Sequence, residues 1–217
     1  MIPFRQIEDD AAAQSLAVFG AFHGGPGAGL PGSGTLVLLG PREPGFWPAV
    51  IASPEWQDGA ADPLDRWSAR VIGTLAEGFG GRALFPFGGP PYHPFYRWAV
   101  TSGRAWVSPV TLLVHETAGL MVSYRGAILL PGRLELPPVP ARSPCAECAG
   151  QPCLAACPAG ALGASGYDLP ACHGFLDTAA GSDCLSSGCR VRRACPISQG
   201  YGRLAAQSAY HMGLFHR

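Results

Sequence analysis

Apolar residues along this chain recur with two periods, and those periods outline its elements. From Glu8 to His23 an alanine-rich stretch sets Leu16, Phe19 and Phe22 three residues apart, the spacing of one helix face. A glycine- and proline-rich loop, Gly24–Gly34, leads into Thr35-Leu-Val-Leu-Leu-Gly40, an apolar run that predicts a short buried strand. Asp62-Pro63-Leu64-Asp65 reads as a helix start, with a capping residue, a proline at the first position and a carboxylate in the first turn. Leu64, Trp67, Val71, Ile72, Leu75 and Phe79 then share a face until Gly80-Gly81 stops the helix. Ala83–Phe87 predicts a further strand and His93–Ser102 a short helix. Val110–His115 and Leu120–Leu130 predict a strand pair turning at Ala118-Gly119. Beyond them, Leu136-Pro-Pro-Val-Pro-Ala-Arg-Ser-Pro144 is too rich in proline for helix or ladder and reads as an extended linker. Gln199–His216 predicts a closing amphipathic helix with Leu204, Ala205, Ala209, Met212 and Phe215 on its apolar side. The linker places a domain boundary near residue 140, giving domains 1–140 and 141–217.

Composition narrows the class. The 217 residues include 30 glycines and 22 prolines without a Gly-X-Y period, so the chain is not collagenous. Hydrophobic residues make up 47%, too many for a disordered chain. Charged residues are only 14% and the formal net charge is zero, which leaves no basic field for nucleic acid. All basic residues are arginine; lysine and asparagine are absent. No apolar stretch approaches the ~20 residues of a membrane span. Met1–Asp10 is polar and acidic where a signal peptide would be basic, then apolar. The expectation is a soluble, cytoplasmic protein, in a compartment where clustered cysteines favour metal sites over disulfides.

The cysteines carry the chemistry. None of the first 144 residues is cysteine, and all eight lie between Cys145 and Cys195. They read Cys145-x2-Cys148-x4-Cys153-x3-Cys157-Pro158, then Cys172, Cys184, Cys189 and Cys195-Pro196. The bacterial ferredoxin run is C-x2-C-x2-C-x3-C-P, and its fourth cysteine ligates the other cluster. One tight loop wraps three thiolates around a cubane corner, and the next turn, starting a helix after its proline, points a cysteine away. Crossing the ligands in this way assigns Cys145, Cys148, Cys153 and Cys195 to one [4Fe-4S] cluster. Cys157, Cys172, Cys184 and Cys189 go to a second, and no cysteine is left over. The rival readings are zinc, whose usual paired C-x2-C is represented only by Cys145 and Cys148, disulfides, which need an oxidising compartment, and buried structural thiols, which would not cluster eight deep in 51 residues.

Other patterns weigh less. The Gly24–Gly34 run precedes a strand and lacks G-K-[ST], so it is not a phosphate loop. His115-Glu116 has no second histidine to complete a zincin motif. Arg190, Arg192 and Arg193, between the last two cysteines, would raise a nearby cluster's potential or simply form a solvated loop. His93, Tyr96, Arg97 and Trp98 form a polar-aromatic set that would either face a planar cofactor or belong to a half-buried amphipathic helix.

The run Cys-Leu-Ala-Ala-Cys-Pro-Ala-Gly-Ala-Leu (153–162), the isolated Cys172 and the terminal Cys-Pro resemble the ferredoxin module of epoxyqueuosine reductases, iron–sulfur, cobalamin-dependent reductases. The likeness extends upstream through Arg97–Trp106, Thr111–His115, Gly119–Leu129 and Leu134–Pro138, covering residues 85–200. It implies an α+β fold, in which a nitroreductase-like α/β sandwich precedes a small two-cluster ferredoxin-like domain. It also implies a first domain able to hold cobalamin. Departures accompany it. The family's acidic proton donor before the residue matching Arg97 is missing from Gly88–Tyr96, and its Gly-Lys-Asn is replaced by Val107-Ser-Pro109. Its tRNA-binding repeats have no counterpart in these residues. Epoxyqueuosine reduction itself is therefore not expected. The primary expectation is an electron-transfer protein relaying single electrons through two [4Fe-4S] clusters to a redox partner protein, with no nucleic-acid or membrane partner. The alternative is a small reductase in which the clusters feed a cobalamin or flavin held by residues 1–140.

Overall fold

Alanine-rich sequence carries a helix only as far as Ala13. In the structure, a computed structural model describing residues 3–25, 29–30 and 32–216, α1 spans Phe4–Ala13 and Ser15 turns the chain with a φ of 57°. Leu16–His23 is then a strand, β1, where the sequence periodicity had predicted continuing helix. The cause of the misreading is a β-bulge. Residues either side of Phe19 pair in order with β2, Thr35–Pro41, but Val18 lies opposite Leu39 and Gly20 opposite Leu38, leaving Phe19 as the extra residue. The bulge reverses the alternation of faces, so Phe19 and Phe22 share a side at a spacing of three and imitate a helix. Of the Gly24–Gly34 loop, residues 26–28 and 31 lie outside the described residues.

The chain continues through short helices α2 (Phe46–Ile51) and α3 (Pro54–Gln57) to the long α4 (Pro63–Gly78), which follows the start signal at Asp62. Asp62 stands at the cap position but its side chain makes no capping hydrogen bond; its carbonyl accepts from Asp65 and Arg66 instead. Next come β3 (Arg82–Leu84), α5 (Phe95–Thr101), β4 (Ala105–Val107), β5 (Leu113–His115) and β6 (Gly126–Leu130). The main sheet is antiparallel in the order β1-β2-β6-β3. Every residue of β2 and β6 is buried, because both faces of the sheet are covered. On one face Phe22, Leu36, Leu38, Leu84, Ala127 and Leu129 pack with Phe95 and Trp98 of α5. On the other, a side chain at Gly126 would meet Ile72 of α4 at 2.8 Å, which fixes α4 on that side. Arg125, buried at the entry to β6, donates to Ser68 Oγ at 3.0 Å and pairs with Asp65, tying the sheet to the first turns of α4.

The protein is thus of mixed α/β composition with small antiparallel sheets. It divides into two compact units, 1–104 with 123–140 and 105–122 with 141–217. Residues 105–122 therefore belong with the cysteine segment, where the linker had suggested a single boundary near 140. The strand pair expected from Val110–His115 and Leu120–Leu130 does not form. β5 pairs with β4, and β6 joins the main sheet between β2 and β3. Three-residue β4 lacks a legible alternation, and the apolar run in β6 serves a strand buried on both faces. Residues 120–125 join neither sheet, and a single bridge, His115 to Gly119, closes the turn between.

The second unit continues with 3-10 turns at Pro144–Glu147 and Pro152–Ala155 and the small hairpin β7 (Leu162–Gly163) and β8 (Gly166–Tyr167). Five helices follow: α6 (Leu169–Leu176), α7 (Ser182–Ser187), α8 (Arg190–Ala194), α9 (Pro196–Gly200) and α10 (Ala205–Phe215). The expected closing helix is two helices broken at Tyr201–Leu204. Its buried residues are Gln207 and Ser208, packed toward α7, while Phe215 is 37% exposed. Among the described residues no helix is long and apolar enough to cross a membrane.

Two outcomes test this architecture. A side chain at Gly40 would overlap the ring of bulged Phe19 and press on the Ser123 carbonyl. Gly40→Ala should therefore lower stability by about 1–3 kcal/mol in denaturant titration; an unchanged midpoint would count against the bulge. Hydrogen bonding from Arg70 holds the Glu55 carboxyl down from 4.5 to about 2. A carboxyl lowered on folding stabilises above its ordinary value and loses that contribution on acidification. Glu55→Gln should thus be less stable than the parent at neutral pH, and the two thermal midpoints should converge as pH falls from about 4.5 to about 2.

Candidate functional site

All eight cysteines are free thiols, and they gather in two groups. The first three come from loop backbone. Ser143 Oγ accepts from the Cys145 amide at 3.2 Å and starts the turn Pro144–Glu147, which delivers Cys145 and then Cys148. Gly150 and Gln151, both at positive φ, reverse the chain so that Pro152 can begin the turn bearing Cys153. Cys195 arrives from the far end as the residue before α9, with Pro196 at the helix's first position. Cys145, Cys148, Cys153 and Cys195 together line one pocket, with Ser108, Pro109, Val114, Leu120, Gln151, Pro152 and Pro196. None of these lining residues is charged.

The second group is more scattered in sequence. Cys157 opens a turn closed by Gly160 N–H donating to its carbonyl at 3.1 Å; Pro158 lies in that turn and starts no helix, unlike the expectation from the C-P pair. Cys172 lies on α6, which Asp168 caps by accepting from Ala171 at 2.9 Å. Cys184 sits on α7 and Cys189 immediately before α8. Cys172 feels the thiols of Cys189, Cys157 and Cys184, whereas Cys153 feels those of Cys145, Cys195 and Cys148. The two sets of neighbours coincide with the crossed division read from the sequence. Burial, with smaller contributions from neighbouring thiols, pushes Cys145, Cys153, Cys172 and Cys184 above the ordinary thiol range. Binding a metal group here would therefore release protons. Among the described residues no three His, Cys, Asp or Glu side chains close up around a point fit for one metal ion. A tetrahedral zinc with sulfur at 2.3 Å would need its thiolates about 3.8 Å apart.

The central hairpin supplies what the cysteine spacing does not show. Thr117 N–H donates to His115 Nδ1 at 3.2 Å, so His115 caps a turn. That turn presents Gly119 and Leu120 to the first pocket. Leu120 is held at both backbone atoms: its N–H donates to Ser198 Oγ at 2.9 Å, and its carbonyl accepts from Arg192 at 2.8 Å. Gly119 (φ 57°) fits because it has no side chain; a Cβ would stand 2.6 Å from Ser198 N and 3.1 Å from Cys195 Sγ. Tyr167 O–H donates to Cys172 Sγ at 3.2 Å, a contact with no sequence signal.

The arginines divide. Arg190 pairs with Asp183 at 2.7 Å and Arg193 pairs with the same carboxylate, while Arg192 is turned inward, its guanidinium held below its ordinary value by burial. The aromatic set also separates. Trp98 is 0% exposed and part of the sheet's core, with His93 stacked on it at 5.4 Å, while Tyr96 is 50% exposed and Arg97 lies at the surface. It therefore does not offer a planar cofactor one common face.

Gly119→Ala should strain the left-handed turn by about 1–2 kcal/mol and push on Ser198 and Cys195, lowering the thermal midpoint. Gly200→Ala, where a Cβ meets nothing within 4 Å, is the control and should not. Equal effects of the two would show that the contact between Gly119 and Cys195 does not constrain the fold. In comparisons with known proteins, no family model, curated protein or solved structure matches this chain, so the two quartets stand on their geometry.

Proposed function

We propose that this chain is an iron–sulfur electron-transfer protein that holds two [4Fe-4S] clusters. Cys145, Cys148, Cys153 and Cys195 would ligate one, and Cys157, Cys172, Cys184 and Cys189 the other. The observation that carries the reading is the gathering of eight free thiols into two groups of four with none left over. The donor set is all thiolate, the set such clusters require. The absence of a single-ion arrangement is compatible with clusters, which interpose an iron between each thiolate and the centre and so hold the sulfurs farther apart. When bound, each cluster accepts and releases one electron at a potential set by its surroundings. The protein's part is to exclude water from the first site with Pro109, Val114, Leu120, Pro152 and Pro196, and to position the thiols.

On this reading the second unit is a ferredoxin-type module carried with an α+β unit of the nitroreductase-like kind, and its partner is another redox protein. The proposal stops short of a corrinoid or flavin in the first unit, because His93, Tyr96, Arg97 and Trp98 do not fit a planar ring as a set.

Anaerobically purified protein should show a broad absorption shoulder near ~400 nm and about eight iron and eight sulfide per chain. Values near four, or stoichiometric zinc, would defeat the two-cluster reading. Additional corrinoid or flavin bands that survive gel filtration would restore the reductase alternative. Cys157→Ser should remove the EPR signal of one reduced cluster and Cys195→Ser that of the other. Loss of the same signal in both variants, with the other intact, would overturn the crossed ligation.

A further inference from the structure

The two thiol groups sit in opposite electrostatic settings. The first lines a pocket without a charged residue, and the nearest carboxylate in sequence, Glu147, lies between two of its cysteines and is exposed. The second group is hydrogen-bonded. Tyr167, on β8, donates its hydroxyl proton to Cys172 Sγ at 3.2 Å. The phenol is fixed by a ring stack, parallel to Phe215 within 14° at 6.3 Å. Arg192 lies by Cys189 and Tyr167, and its guanidinium is anchored on the Leu120 carbonyl. Of the other charged groups here, Asp183 pairs with Arg190 and Arg193, Asp177 lies 3.1 Å from His216 Nε2, and Asp168 caps α6.

Reduction of an iron–sulfur cluster adds one negative charge. A hydrogen bond to a ligand sulfur and a nearby half-buried cation both stabilise that charge, and hydrogen bonds to the sulfurs are among the factors that set such potentials. An apolar wall does the reverse, because it withholds the solvent dipoles that would otherwise screen added charge. We propose that Tyr167, supported by Arg192, is a positioning residue that holds the second quartet's cluster at the higher reduction potential of the two. The inference rests on the two-cluster reading above and adds an order to it: a single electron in the molecule resides at Cys157, Cys172, Cys184 and Cys189.

The test is EPR-monitored potentiometry of the anaerobic full-length protein, with iron and sulfide counted on the same samples. Two midpoints are expected. The Cys195→Ser variant should keep the higher and lose the lower. Tyr167→Phe retains the ring stack and removes only the hydroxyl. It should weaken reduction of the higher-potential cluster about tenfold, a shift of about 59 mV to the negative for a one-electron couple, and leave the lower midpoint in place. If Cys195→Ser fails to fold, Tyr167→Phe alone decides the matter. A single shared midpoint, no shift in Tyr167→Phe, or a shift confined to the lower midpoint would overturn the assignment. With about eight iron and eight sulfide present, any of these results sinks this inference and leaves the two-cluster reading standing. Protein without that content and without a cluster signal sinks both.

Discussion

Cys195 must meet three cysteines that precede it by forty residues or more, and the backbone of Leu120 is what that meeting is built around. Its N–H is taken by Ser198, three residues past Cys195, and its carbonyl by Arg192, three residues before. The two bonds straddle the cysteine and leave it little freedom. Gly119 then permits an approach to Sγ that a side chain would block. Each backbone bond contributes only about 1 kcal/mol net, yet between them they decide where α8 and α9 lie against the pocket. The apolar cluster of Val110, Val114, Leu120, Leu162 and Val191 closes around that pinned residue with Cys153 and Cys195 inside it. Cys153 is poorly solvated in that cluster, and its burial favours the neutral thiol.

The grouping of the cysteines was legible in the sequence and much of the scaffold was not. The order and spacing of the cysteines were enough to anticipate which of them lie near one another, because neighbourhood in tight loops follows the chain order. Strand β2 and helix α4 were equally plain, the first from an unbroken apolar run and the second from a start signal followed by a single face. Leu16–His23 was misread because a bulge shifts strand parity by one residue, and an odd step in a period of two looks like a step of three. The hairpin at 105–115 was hidden for a different reason. Its strands are three residues long, and Val107 points to solvent at 54% exposure, so no alternation survives. Gln207 and Ser208 were missed as buried positions because no apolar pattern marks a polar face turned inward.

Scarcity of charge gives the remaining charges unusual weight. Arg125 joins helix α4 to the sheet, Arg70 holds Glu55, and Arg192 joins the hairpin to α8. In each case the planar guanidinium spans two elements, and carbonyl recognition as made by Arg192 suits a fork of N–H donors. The absence of lysine is thus less a gap in the chemistry than a consistent choice of linker between elements.

The assignment of residues 105–122 to the second unit has a consequence for modularity. These residues precede the eight cysteines in the chain, and they form a wall of a pocket whose last cysteine follows the start of the hairpin by some ninety residues. The contacts that bring Cys195 to the other three cysteines are therefore non-local, the kind that assemble slowly. Cutting at the proline-rich linker would separate these cysteines from one wall of their pocket. The cysteine segment is not a cassette that can be moved to another protein at its apparent boundary; its structural limits are drawn in space, and the chain crosses them three times.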